Sequence, residues 1–234
     1  MKIIVFDTET TGLPPRGRCL IPEYKILEQW PYIVQLSFII FDTKTKKISK
    51  EHDYIISIPE DIEISSRSIE LHGITHKIAK YKGISMQSAL EILSICLDDT
   101  AILVAHNIEF DIDMLKVEAY RNNHFNLILK LNDTKLIKYC TMENSVNICR
   151  IPSKKKYSAR NNKNQQSTQI SFKYPTLLEL YNHLFKDNKI KQGELHNSFV
   201  DTTLCLQCFC KIAIDYDIEK TNKSFRSLLR PFIY

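Results

Sequence analysis

The chain has 234 residues, 44% of them hydrophobic and 25% charged, with a formal net charge of +5. That is enough for one domain with room for an insertion, in a composition typical of a soluble globular protein. No apolar run nears the roughly 18 residues that span a bilayer, and Asp7 breaks the first apolar run, which excludes a signal peptide. An intracellular setting is expected, cytoplasmic or in a nuclear or viral context.

KIIVF (2–6) reads as a short buried strand rich in β-branched residues. YIVQLSFIIF (32–41) reads as a second strand with Pro31 at its start. After the polar turn DTKTKK comes a third strand, KEHDYIISI (50–58), so residues 32–58 form an antiparallel pair. SSRSIELHGIT (65–75) reads as a short helix with serine caps before it and Gly73 after it. SMQSALEILSICL (85–97) is an amphipathic helix, AILVAHN (101–107) a fourth strand and IEFDIDMLKVEAYRNN (108–123) a helix. TKLIKYCTM (134–142) holds a fifth strand. TLLELYNHLF (176–185) is a helix with Thr176 and Glu179 spaced as a capping box. HNSFVDTTLCLQCFCKIAIDY (196–216) closes the domain with a long helix. The order of strands and helices predicts an α/β mixed sheet with helices packed on it.

The charge is uneven. Between Glu143 and Glu179 there is no acid, and the stretch holds Arg150, Lys154, Lys155, Lys156, Arg160, Lys163 and Lys173. Within it, PSKKKYSARNNKNQQSTQ (152–169) is low in complexity and reads as a basic insertion. Non-specific phosphate contact is one use for such a segment, with Tyr157 placed to stack on a base; a solvated insertion without a role is the other. Residues 217–234 read as a tail, packed on the domain or docking a partner. Cys205, Cys208 and Cys210 cluster, but they lie in an apolar helix without a second pair. They read as core rather than as zinc ligands.

The chemistry lies in the acids. Residues i and i+2 of a strand share a face, so Asp7 and Glu9 project side by side at the end of the first strand. Open α/β sheets bind ligands at that edge. Two adjacent carboxylates repel unless a cation sits between them, and an all-oxygen set suits Mg²⁺ or Mn²⁺. Asp111 falls on the apolar stripe Ile108, Ile112, Leu115 and Ala119, where a carboxylate is costly unless paired or metal-bound. His196 and Asp201 are five apart, roughly 140° on a continuous helix. They face one site only if His196 precedes the helix and Asp201 sits in its first turn, with Asn197 or Ser198 as cap. The plainer reading has Asp201 closing a capping box with Ser198.

Taken in order, FDTETTGL, AHNIEFDIDML and HNSFVD resemble the three motifs of the DEDDh 3′–5′ exonucleases, the family of bacterial proofreading subunits and related DNA- and RNA-trimming enzymes. The resemblance covers roughly residues 1–215, within an exonuclease domain expected over 1–216. It implies a ribonuclease H-like fold, a mixed five-stranded sheet with helices on both faces. It further implies that Asp7, Glu9, Asp111 and Asp201 bind two Mg²⁺, with Mn²⁺ able to substitute. Asp7 would bridge the ions, Glu9 and Asp201 would hold the one that activates water, and Asp111 would organise the second. A histidine's unperturbed pKa is near neutral, which suits His196 to the general base. Thr10, Thr11, Gly12 and Leu13 would meet the terminal nucleotide, with Leu13 wedged against the last base. Asn107 would touch substrate or brace the helix start. His106 reads as structural and Phe110 as core. The expected substrate is single-stranded or 3′-terminal DNA, with RNA as the alternative, and a polymerase or replication partner is in keeping with the family. A catalytically silent nucleic-acid-binding subunit would lack an acid or the histidine, and all five are present.

Overall fold

The computed structural model describes residues 1–15, 27–153, 171–186, 190–191 and 195–234. The basic insertion lies outside the described residues apart from Pro152 and Ser153.

Five strands form one mixed sheet in the order β3-β2-β1-β4-β5. β1 (Lys2–Thr10) pairs antiparallel with β2 (Ile33–Asp42), and β2 with β3 (Lys47–Ile55). On its other side β1 runs parallel to β4 (Thr100–Ala105), and β4 to β5 (Ile137–Cys140). This is the α/β, ribonuclease H-like sheet expected from the motifs. One boundary differs. The apolar run stops at Phe6, but the ladder continues to Thr10, so Asp7 and Glu9 are paired strand residues opposite Ser37 and Gln35. Ladder hydrogen bonds belong to the backbone and do not need apolar side chains.

The helices among the described residues are α1 (Ser66–His72), α2 (His76–Lys82), α3 (Met86–Leu97), α4 (Ile108–Arg121), α5 (Phe125–Asn132) and the short α6 (Thr141–Asn144) and α7 (Val146–Cys149). After them come α8 (Leu177–Leu184), α9 (Ser198–Ile214), α10 (Ile218–Thr221) and α11 (Lys223–Leu229). Their ends follow local chemistry. Ser65 and Thr75 cap α1 and α2, Gly73 leaves α1 at a left-handed φ of 72°, and Thr176 with Glu179 makes the capping box of α8.

Strand alternation splits the core in two. Ile4, Phe6, Leu36, Phe38 and Leu103 face one side and pack with Leu90, Leu93, Met114, Leu115 and Leu127 of α3, α4 and α5. Ile3, Val5, Ile39, Phe41 and Val104 face the other and pack with Leu180, Leu204, Cys208 and Phe209 of α8 and α9. Cys205, Cys208 and Cys210 are buried and unpaired there, and burial pushes the Cys210 thiol up to about 12. Ile218, Phe225 and Leu229 of the tail are buried in this second core. Among the described residues no helix is long and apolar enough to cross a membrane.

Candidate active site

Each acid reaches the site from a different element. Asp7 and Glu9 lie on the α9 face of β1. Asp111 is in the first turn of α4 and only 2% exposed, and its Oδ1 accepts the Thr8 N–H at 3.0 Å and the Thr8 hydroxyl at 2.7 Å. Thr8 therefore ties α4 to the strand between the two acids. Asp201 is in the first turn of α9. The α9 cap is Asn197, whose Oδ1 accepts the amides of Phe199 and Val200 at 3.1 and 3.4 Å. Asp201 is thereby released from capping, and its Oδ1 is buried with no hydrogen-bond partner. His196 precedes the cap at a left-handed φ of 64° and is exposed.

The sheet and the two helix starts bring these groups together. Glu9, His196 and Asp201 each present one ligand atom within 4.8 Å of the others. Burial, then the charges of Asp111, Asp201 and Glu9, push the Asp7 carboxyl well above its ordinary range. Burial, then Asp201 and Asp111, push Glu9 up to about 9. Asp111 rises to about 7 through burial, against the pull of the two Thr8 bonds. Asp201 rises to about 7 for the same reason, against a hydrogen bond from the His196 amide. Burial, then Arg67, lowers His196. Four acids that resist ionisation together are a site short of positive charge. The orphaned Asp201 oxygen and the all-oxygen set of acids fit a hard divalent cation.

The other predicted residues separate. Thr10 and Thr11 are buried; Thr10 Oγ1 donates to the Gly12 carbonyl at 2.7 Å, and the Thr11 amide donates to Tyr32 O at 2.9 Å. These two shape the turn, whereas Leu13 stands 86% exposed at its tip. Asn107 sits before α4 at φ 69° and makes no side-chain cap bond, so it does not brace the helix that way. His106 is structural: its Nδ1 meets Thr141 Oγ1 at 3.0 Å, its Nε2 meets Pro175 O at 3.1 Å, and burial lowers it to about 4. Phe110 packs against the first core.

The sequence did not single out three supports. His72 accepts the Ile74 amide at Nδ1, 3.0 Å, so its Nε2–H donates to Thr10 O at 3.2 Å and steadies the turn. Arg121 donates to the carbonyls of Leu27, Trp30 and Pro31 at 2.5–2.8 Å and to buried Glu118 at 2.8 Å, and its guanidinium lies 3.8 Å over the Tyr32 ring. That clamp fixes the segment carrying Tyr32 O. Gln35 is the third. Its signal was a lone amide in an apolar strand, on the same face as Ser37.

A mixed five-stranded sheet that gathers four acids and a histidine at the C-terminal edge of its central strand defines a ribonuclease H-like nuclease. A family model described as an exonuclease, RNase_T, matches residues 4–209, and the chain belongs to that family, the DEDDh 3′–5′ exonucleases. Among solved structures the chain is similar to Escherichia coli exonuclease I with a dT13 oligonucleotide, at TM-score 0.61 and 16% identity over 97% of this chain and 45% of that one. It is also similar to the zinc-bound complex of that enzyme with single-stranded DNA, at TM-score 0.60 and 15% identity over 98% and 42%. A product-bound form matches at TM-score 0.59 and 15% identity over 98% and 45%. The chain thus spans less than half the length of these neighbours. The search of curated proteins returned no match.

Proposed function

We propose that the chain removes nucleotides from the 3′ end of single-stranded DNA with the help of divalent cations. The observation that carries this is the convergence of Glu9, His196 and Asp201 within 4.8 Å, beside Asp7 and Asp111, with one Asp201 oxygen unpartnered. Asp7, Glu9, Asp111 and Asp201 would hold two Mg²⁺ or Mn²⁺. When bound, such a pair lowers the pKa of water and steadies the leaving oxygen in phosphodiester hydrolysis.

The protein's own groups supply the rest. Burial favours the uncharged form of His196, the form able to accept the proton of the attacking water. It stands outside the helix at a left-handed φ, with a ring nitrogen within 4.8 Å of ligand atoms of Glu9 and Asp201. Leu13, exposed at the turn, gives the terminal base an apolar surface, and Asn107, free of capping, offers an amide at the start of α4. DNA is favoured over RNA because the similar solved structures hold DNA oligonucleotides. The six described cysteines are unpaired, in keeping with a reducing intracellular compartment. The tail buries Phe225 and Leu229 in its own core, so a replication partner would have to use another face.

The test is a time course with 5′-labelled single-stranded DNA and RNA of equal sequence, in Mg²⁺ or Mn²⁺, beside His196→Ala and Asp7→Ala. A ladder shortening from the 3′ end on DNA, lost in both variants, is the expected result. Faster RNA trimming makes the chain an exoribonuclease, and binding without cleavage makes it a silent module.

A further inference from the structure

Gln35 is only 1% exposed near the start of β2. Its Nε2 donates to Asp53 Oδ1 on the edge strand β3 at 2.8 Å and lies 3.5 Å from Asn197 Oδ1. Its Oε1 accepts the amide of Ser198, the first residue of α9, at 3.2 Å. Ser37, on the same face, donates its hydroxyl to the same Asp53 oxygen at 2.8 Å. Ser198 in turn donates its hydroxyl to the backbone carbonyl of Asp7 at 2.6 Å. One polar chain therefore runs from Asp53 through Gln35 and Ser198 to Asp7, across three strands and into a helix start.

Away from the acids this sheet face is apolar: Ile3, Val5, Ile39 and Phe41 all lie in the second core. Burying an amide and two hydroxyls there is unfavourable unless every group is paired. These groups are paired, and their geometry is directional where apolar contact is not. Apolar packing already docks α9 through Leu204, Cys208 and Phe209. What the polar chain adds is the position of the first turn along and around its axis. His196 stands two residues before Ser198, and Asp201 three after it, with its amide bonded to Asn197 O at 2.9 Å. Both functional side chains hang from the segment that Gln35 holds.

We infer that Gln35 and Asp53 are positioning residues that register the start of α9 against β1, so that His196 and Asp201 meet Glu9. This rests on the reading of His196 and the acids given under Proposed function. Neither residue needs to touch substrate. Asp53 acts through Gln35, whose amide it orients with N–H toward the carboxylate and C=O toward Ser198.

The experiment compares Gln35→Met, Asp53→Leu and Asp53→Asn with the wild-type chain on 5′-labelled single-stranded DNA in Mg²⁺. Melting temperatures are measured alongside. Gln35→Met keeps the length and loses both bonds; Asp53→Asn keeps an acceptor oxygen for both donors. A small misplacement of a reacting group lowers turnover much more than binding, so kcat should fall about tenfold in Gln35→Met and Asp53→Leu while KM stays within about twofold. Asp53→Asn should restore kcat to within about twofold of wild type. Unchanged kcat in folded Gln35→Met overturns the inference. So does a loss shared equally by kcat and KM, or an Asp53→Asn as impaired as Asp53→Leu. If Gln35→Met does not fold, the Asp53 pair at the sheet edge decides alone. A wild-type chain without turnover sinks the proposed function and this inference with it; an active wild type with unaffected variants sinks only the inference.

Discussion

Replacing Asp111 by Asn removes one charge from the site and changes its shape very little. The carboxyl accepts both Thr8 donors at one oxygen, and an amide oxygen can accept the same two bonds. What changes is the penalty of ionising a buried acid. Its pKa rises from 3.8 to about 7, roughly three units, and each unit is about 1.4 kcal/mol. The ceiling is therefore about 4 kcal/mol. Burying the new amide N–H₂ where an oxygen stood costs about 2 kcal/mol of it, leaving about 2 kcal/mol. With a folded pKa above the unfolded one, the wild-type contribution is complete below pH 3.8 and is lost as pH rises through about 7. In chelator at pH 8, Asp111→Asn should melt about 4–8 °C above wild type, and the gap should open between about pH 4 and 7. Saturating Mg²⁺ should close or invert the gap, because only the intact acid set gains full binding energy. Turnover should fall by about 10²–10³. Differential scanning fluorimetry across pH, with and without Mg²⁺, measures this. A variant that melts below wild type in chelator at pH 8, or a gap flat in pH, refutes the reasoning.

Other expectations are simpler. Leu13→Ala should raise KM for a DNA oligonucleotide severalfold and leave the melting temperature within a degree or so, since the side chain is 86% exposed; steady-state kinetics and a thermal melt check both. Arg121→Met should destabilise by about 3–5 kcal/mol in urea unfolding, because it strands buried Glu118 and frees three carbonyls at once. Gly83→Ala should lower stability by about 1–3 kcal/mol: its Cβ would press against the Ala79 carbonyl oxygen and stand 2.5 Å from the Ser57 amide nitrogen. A wild-type-like denaturation curve would show that the α2 end yields more easily than that.

The acids were legible because chemistry confines them. A carboxylate on the apolar stripe of α4, or two acids meeting the end of an apolar strand, stands out from any packing pattern. The extent of β1 was less legible, since Asp7 and Glu9 interrupt hydrophobicity while the backbone ladder runs on. The helices α2 and α5 were missed for another reason. HKIAKYK is short and basic, and FNLILKLN is a nearly unbroken apolar run whose period cannot be told from a strand. Asp201 had a capping reading in the sequence, and the structure gives the cap to Asn197 instead. The buried bond from Gln35 to Ser198 joins residues 163 apart, and nothing local announces such a partner.

The bond between Ser198 and the Asp7 carbonyl spans 191 positions of the chain. During synthesis Asp7 and Glu9 emerge together, and His196 and Asp201 follow nearly two hundred residues later. Until α9 docks on the finished sheet, no partial chain holds more than three of the four acids. The gathering of acids and histidine at the sheet edge is thus a late event in folding, tied to the docking of α9 on β1.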